Sequence, residues 1–157
     1  MEIPKMRRKD REMPLEEALA ILRAGEYGVL ASHSDSTGGY ATPLSYILRE
    51  NALYFHCARK GHKLDNLRQD PRVCFCVVGK TQPIYSENFT TLYESVLVFG
   101  AAAFVENKEE KEEILRALCQ KYLPDHMDKA ADAIVGSLSA TQVIRVDISQ
   151  VTGKAKR

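Results

Sequence analysis

The chain has 157 residues, a formal net charge of +1, 45% hydrophobic and 27% charged residues. This is the composition of a globular protein long enough to bury a core without disulfide or metal staples, and its balanced charge excludes a global field drawing it to nucleic acid or a membrane surface. No apolar run approaches the roughly 20 residues of a spanning helix, and the basic start lacks the apolar region of a secretory signal. The expectation is one cytoplasmic domain over residues 1–157, with an N-terminal arm (1–13) and a basic tail (150–157).

In chain order, "PLEEALAILRAG" (14–25) reads as a helix: Pro14 suits its first turn, Leu15, Leu19 and Leu22 share a face, and Gly25 stops it. "EYGVLASH" (26–33) reads as a strand and "SDSTGG" as a turn. "YATPLSYIL" (40–48) reads as one strand in which Pro43 cannot donate to a ladder, so it is an edge or carries a bulge. "REN" then connects to "ALYFHC" (52–57), a third strand. "GHKLDNLRQ" is a short helix with Leu64 and Leu67 on its buried face, ended before Pro71.

"RVCFCVVG" (72–79) and "TTLYESVLVFGAAAFV" (90–105) are strands, the second apolar on both faces at its centre, as in a closed sheet or against a partner. Asn107 caps the helix "KEEKEEILRALCQKYL", with Glu110 in the capping-box position and a stripe of Ile114, Leu115, Leu118 and Tyr122. "MDKAADAIVGSL" is a further helix and "TQVIRVDI" (141–148) the last strand. Hairpins rather than regular strand–helix alternation predict a mainly β protein with flanking helices, folded as a small antiparallel barrel. Cys57, Cys74, Cys76 and Cys119 lack paired metal-ligand spacing and read as small reduced hydrophobes of the core, with no metal site.

The chemistry concentrates in "HCARKGHK". Arg59, Lys60, His62 and Lys63 gather at the start of a helix, where the dipole and unpaired N–H groups are already positive. That crowding makes sense around an anion, phosphate above all, with Gly61 letting the backbone come close; a solvated basic turn is the alternative. His56, on the strand leading into this turn, points away from Phe55 and Cys57 and can exchange a proton near neutrality. "TPLSY" (42–46) offers hydroxyls and a broken edge to a flat polar ligand, and Glu94 and Ser95 are the polar residues entering an apolar strand. Triad, Walker, dinucleotide and zinc-protease motifs are not found.

The runs "YATPLSYIL", "LYFHCARKGHKLDNLRQDPRVCF", "YESVLVFGAAAFVEN" and "TGKAKR" resemble the FMN-binding split-barrel proteins, relatives of pyridoxamine 5′-phosphate oxidase, and most of all their nitroimidazole-resistance branch. The resemblance implies a six-stranded antiparallel split β-barrel forming a homodimer, with FMN at the subunit interface. It implies that His62 and Lys63, with Lys60, hold the FMN phosphate. Thr42, Pro43, Leu44, Ser45 and Tyr46 would line the flavin ring, and His56, Cys57 and Ala58 would approach the ring and ribityl chain. Asn66 would lie on the phosphate helix, and Glu94 and Ser95 would meet the flavin's polar edge. The arginine-rich substrate-phosphate pattern of a true pyridoxamine phosphate oxidase is missing toward "VTGKAKR". The implied activity is a flavin-dependent oxidoreductase passing electrons from reduced nicotinamide to a small aromatic, possibly nitro, acceptor, with His56 as the catalytic candidate. The alternative is a non-catalytic flavin or haem carrier or sensor on the same barrel.

Overall fold

A computed structural model describes residues 3, 5–86 and 88–157; predictions for the arm at residues 1, 2 and 4 lie outside it. Seven antiparallel strands form one sheet: β1 (Gly28–Ser34), β2 (Gly38–Leu44), β3 (Ile47–Arg49), β4 (Ala52–Ala58), β5 (Arg72–Ser86), β6 (Asn88–Val105) and β7 (Thr141–Lys156). Their order is β2-β1-β5-β6-β7-β4-β3. The described residues also form four α-helices, α1 (Leu15–Ala24), α2 (His62–Gln69), α3 (Lys108–Tyr122) and α4 (Met127–Ser137), and short 3-10 turns. Among the described residues no helix is long and apolar enough to cross a membrane.

The mainly β antiparallel class matches the expectation, but the six-stranded barrel does not. There are seven strands, and the sheet is not closed: β2 and β3 are its two ends and pair only with β1 and β4. The run 40–48, expected as one strand, breaks at Ser45 and Tyr46. There the backbone leaves the ladder because side chains of α3 satisfy it. The Tyr46 N–H donates to Tyr122 Oη at 2.8 Å, and Lys121 Nζ donates to the Tyr46 carbonyl at 3.0 Å and the Gly25 carbonyl at 2.7 Å.

Three boundaries also move. β5 and β6 run past Gly79 and before Thr90 into a two-stranded ribbon, beyond β1, which pairs only Val73–Cys76 of β5, and beyond β7, which begins to pair with β6 at Tyr93. At its end Tyr85 and Phe89 are exposed. Residues 150–156, read as a tail, are strand: Gln150 to Lys156 pair with Phe99 back to Tyr93. The described part of the arm is docked as well, since the Met13 N–H bonds to the Gly153 carbonyl and Met13 is buried.

Alternation along the strands sorts side chains onto two faces. The inner face holds Leu30, Leu53, Phe55, Phe75, Val96, Val98, Ile144 and Val146, closed by Ala18 and Leu22 of α1 and Leu64 and Leu67 of α2. On the outer face, the β3-β4-β7 half is covered by α3 and α4, whose Ile114, Leu115, Leu118 and Ile134 pack against Ile47, Val105 and Val143. The outer face of the other half carries Val29, Cys74, Cys76, Leu97 and Phe99, all half-buried and in register across three strands. Cys74 and Cys76 therefore belong to this uncovered face, while Cys57 alone of the four packs against the inner core.

Candidate functional site

The break at Ser45–Tyr46 and the shortness of β3 together make a slot. β3 pairs with β4 only at Ala52–Tyr54, so Phe55 to Ala58 of β4 have no strand neighbour on that side. β2 likewise has an unpaired outer edge. Both free edges start from the Ser45–Tyr46 corner, because β2 and β3 are joined there by two residues.

The first turn of α2 closes the other end by touching both edges. His62 Nε2 lies 3.1 Å from Ser34 Oγ, and its ring meets Tyr40 edge-on at 4.8 Å between centroids. Lys63 reaches the opposite edge, its Nζ 5.5 Å from the centre of the Phe55 ring. The helix forms because Leu64 and Leu67 bury under the sheet, and it starts at Gly61, whose φ of 142° and ψ of 159° lie in a region essentially restricted to glycine. No side chain caps it. Its first N–H groups, His62 and Lys63 stand at one end of the slot, with Lys60 just before them; Arg59 donates to the Ser139 carbonyl at 3.1 Å, and Asp65, the acid of the first turn, is engaged by Arg68 at 3.0 Å.

Asn66, only 2% exposed, points the other way and donates from Nδ2 toward Ser32 Oγ at 3.5 Å. It anchors the helix to β1. On the β2 wall, Thr42 Oγ1 is buried and has no hydrogen-bond partner. On the β4 wall, the His56 side chain is exposed at its surface, yet its pKa is held below the ordinary 6.5, first by partial burial and then by the charge of Lys63. The Cys57 thiol is pushed up by burial, with Lys63 opposing, so it stays a neutral thiol.

The residues singled out from sequence thus fall into three groups. Thr42, His56, Cys57, Ala58, Lys60, His62 and Lys63 border the slot, with Pro43 and Ser45 on the outer side of its corner. Leu44 and Tyr46 face the core. Tyr46 is fully buried; its hydroxyl donates to the Leu22 carbonyl at 2.5 Å, its ring meets Phe75 edge-on at 4.9 Å, and burial raises its pKa. Its side chain is committed to the fold.

Glu94 and Ser95 lie elsewhere. They pair with Ala155 and Lys154, whereas His56 pairs with Val143, so roughly 40 Å of strand path at ~3.3 Å per residue separates them along β7. Glu94 accepts from Arg157 at 3.1 Å beside α1. Within one protomer they do not join the slot.

Two contributors escaped the sequence reading. Ser34 and Tyr40 hold His62, and an available signal was the pair Ser32 and Ser34, polar at alternate positions on the buried face of β1. The second is a lining of Leu115, Leu118 and Ile134 near His56, which the helical period could present only as a core stripe.

Solved structures share this architecture. The flavocytochrome Anf3 from Azotobacter vinelandii aligns with a TM-score of 0.85 over 98% of this chain and 72% of its own, at 19% identity. The FAD and heme binding protein from Mycobacterium smegmatis gives 0.81 over 94% and 74%, at 17% identity. A candidate 5-nitroimidazole antibiotic resistance protein from Bacteroides thetaiotaomicron VPI-5482 gives 0.77 over 92% and 86%, at 19% identity. At these identities the likeness establishes the fold alone. No curated protein matches the chain. The sequence model described as pyridoxamine 5′-phosphate oxidase matches residues 14–155, and the chain belongs to that family.

Proposed function

We propose that the slot binds FMN and that the protein is a flavin-dependent oxidoreductase. The observation that carries this is the uncapped, glycine-started and cation-rich first turn of α2 at one end of two unpaired strand edges. A phosphate there accepts from the first N–H groups of α2 and from His62 and Lys63, with Lys60 adding charge. The free edges of β2 and β4 offer backbone donors and acceptors to a flat heteroaromatic ring, and Thr42 Oγ1 gains its missing partner. Bound flavin supplies the electron transfer; the chain's own part is to hold and orient it and to place a neutral imidazole, His56, beside the reacting compound. The neighbours described as flavocytochrome and as FAD and heme binding proteins support a flavin ligand and leave its length to experiment.

The working unit in this reading is a homodimer. The uncovered outer face of Val29, Cys74, Cys76, Leu97 and Phe99 is apolar and in register, the pattern of a surface that another sheet covers. A second copy on that face brings its own Glu94 and Ser95, which a single protomer keeps away from its slot. A monomer at micromolar concentration by light scattering would refute this assembly.

The absorption spectrum of the purified protein and the mass of the compound released on denaturation test the ligand and separate FMN from FAD. Anaerobic bleaching by NADH or NADPH, followed by reoxidation with a nitroimidazole, tests the reaction; bound flavin that neither donor reduces sinks it. A second reading, a flavin or haem carrier without turnover, is favoured by the haem-binding description of one neighbour. A Soret band on haem titration that is lost in His56→Ala or His62→Ala would establish it.

A further inference from the structure

A cavity of about 350 Å³ lies between the outer face of the sheet and helices α3 and α4. Its buried wall is Leu115, Leu118 and Ile134; its exposed rim includes Ser45 and His56, the same residues that stand at the corner end of the slot. It opens to solvent along the Ser45, His56 and Leu123 side and is floored by buried leucine and isoleucine side chains. It is about twice the ~150 Å³ cavity that suffices for benzene. Among the described residues no lysine, arginine, aspartate or glutamate lines it. The polar groups that do are an imidazole, the phenol of Tyr122 and the hydroxyls of Ser45, Ser137 and Thr141. Tyr122 is spoken for, its Oη accepting from the Tyr46 N–H. The Ser137 hydroxyl donates to the Ala133 carbonyl at 2.9 Å and Thr141 Oγ1 to the Ser137 carbonyl at 2.9 Å, which leaves His56 and the neighbouring Ser45 hydroxyl at the rim as the groups to orient a ligand.

We propose that this cavity binds a neutral, largely apolar molecule of one or two rings, hydrogen-bonded at one end to His56, and that it is the acceptor subsite of the protein. The binding stands on the cavity alone; the acceptor role rests on the flavin reading above. The contrast with the slot sets the specificity. An anion is welcome at the first turn of α2, but against the Leu115, Leu118 and Ile134 wall its charge would be desolvated without a partner. A phosphorylated or carboxylated substrate is therefore rejected here.

The test uses the full chain and two probes of one ring system, indole and indole-3-carboxylate, with affinities from calorimetry. Indole should bind, and the carboxylate should bind at least about tenfold more weakly. Leu118→Trp should weaken indole binding at least about tenfold and leave the flavin-to-protein ratio unchanged. The chain has no tryptophan of its own, so blue-shifted emission shielded from acrylamide verifies that the new ring has entered the cavity. Ile134→Phe repeats the test from the other helix. Failure of the wild type to bind indole, equal affinity for the carboxylate, or unchanged indole affinity in both variants overturns the proposal. Joint loss of flavin and indole in both variants also overturns it, by making the cavity part of the flavin seat. Indole binding to a protein that retains no flavin upholds the binding site and removes only its acceptor role.

Discussion

Helices α2 and α3 begin in opposite ways. α3 is finished by its own sequence: Asn107 Oδ1 accepts from the Glu110 N–H at 2.8 Å, and Glu109 and Glu110 answer the positive end of the dipole. α2 has no side-chain cap, begins at a glycine in a conformation that other residues avoid, and places Lys60, His62 and Lys63 at its start, where the dipole disfavours cations, while its first-turn acid Asp65 is engaged by Arg68. A helix start that satisfies itself serves the fold. One that is left uncapped and carries added cations fits an anion brought from outside, and the proposed flavin site rests on that contrast.

The largest expected effect tests that contrast directly. Lys63→Glu replaces a charge-assisted contact of about 1.5–3 kcal/mol with repulsion, so FMN affinity should fall about a hundredfold while the circular dichroism stays that of the wild type. A variant as yellow as wild type would erase the distinction between the two helix starts. Gly61→Ala meets no neighbouring atom, so its cost is purely the backbone conformation, about 1–3 kcal/mol in denaturant unfolding, with weakened flavin retention. Asn107→Ala should cost about 1 kcal/mol and leave the flavin content untouched. If it also releases flavin, the start of α3 bears on the slot and the contrast between the two helix starts fails.

Thr42→Val sharpens the comparison in the other direction. Removing a buried hydroxyl with no partner should stabilise the flavin-free protein by about 1 kcal/mol and weaken flavin binding. Destabilisation of the flavin-free form would show that the hydroxyl already has a partner. The smallest effect concerns His56. Its NMR titration midpoint should lie below 6.5 and rise in Lys63→Ala, though not fully, because burial is the larger cause. Since the folded pKa is depressed, the stability this residue contributes is present above 6.5 and is lost as pH falls through the folded value; His56→Gln should flatten that loss.

Much of this was legible before any coordinates. The helix over "HKLDNLRQ" showed in Leu64 and Leu67 and the proline that follows, and the odd charge at its start showed in the eight letters "HCARKGHK". The cap at Asn107 could be read from one residue and its spacing. These are local properties, set by i, i+3 and i, i+4 neighbours and by backbone dipoles, and local properties survive in a one-dimensional string. Tyr46 was misplaced because a tyrosine in a polar-looking strand reads the same whether its hydroxyl meets a ligand or the Leu22 carbonyl. The tail at 150–156 was misplaced because its lysines suggest solvent, whereas the ladder to β6 uses only its backbone.

The chain alone therefore determined the four α-helices, the family and the position of one cation-rich helix start, since each depends on residues close in sequence. The tertiary structure decided the rest. It showed that β3 is too short to cover β4, so that two strand edges are left free; that α2 bridges those edges through His62 and Lys63; that Glu94 and Ser95 stand at the far end of β7; and that α3 and α4 leave a gap over His56. These are differences between segments tens of residues apart. They depend on register and strand length, which packing sets and no short stretch of sequence encodes.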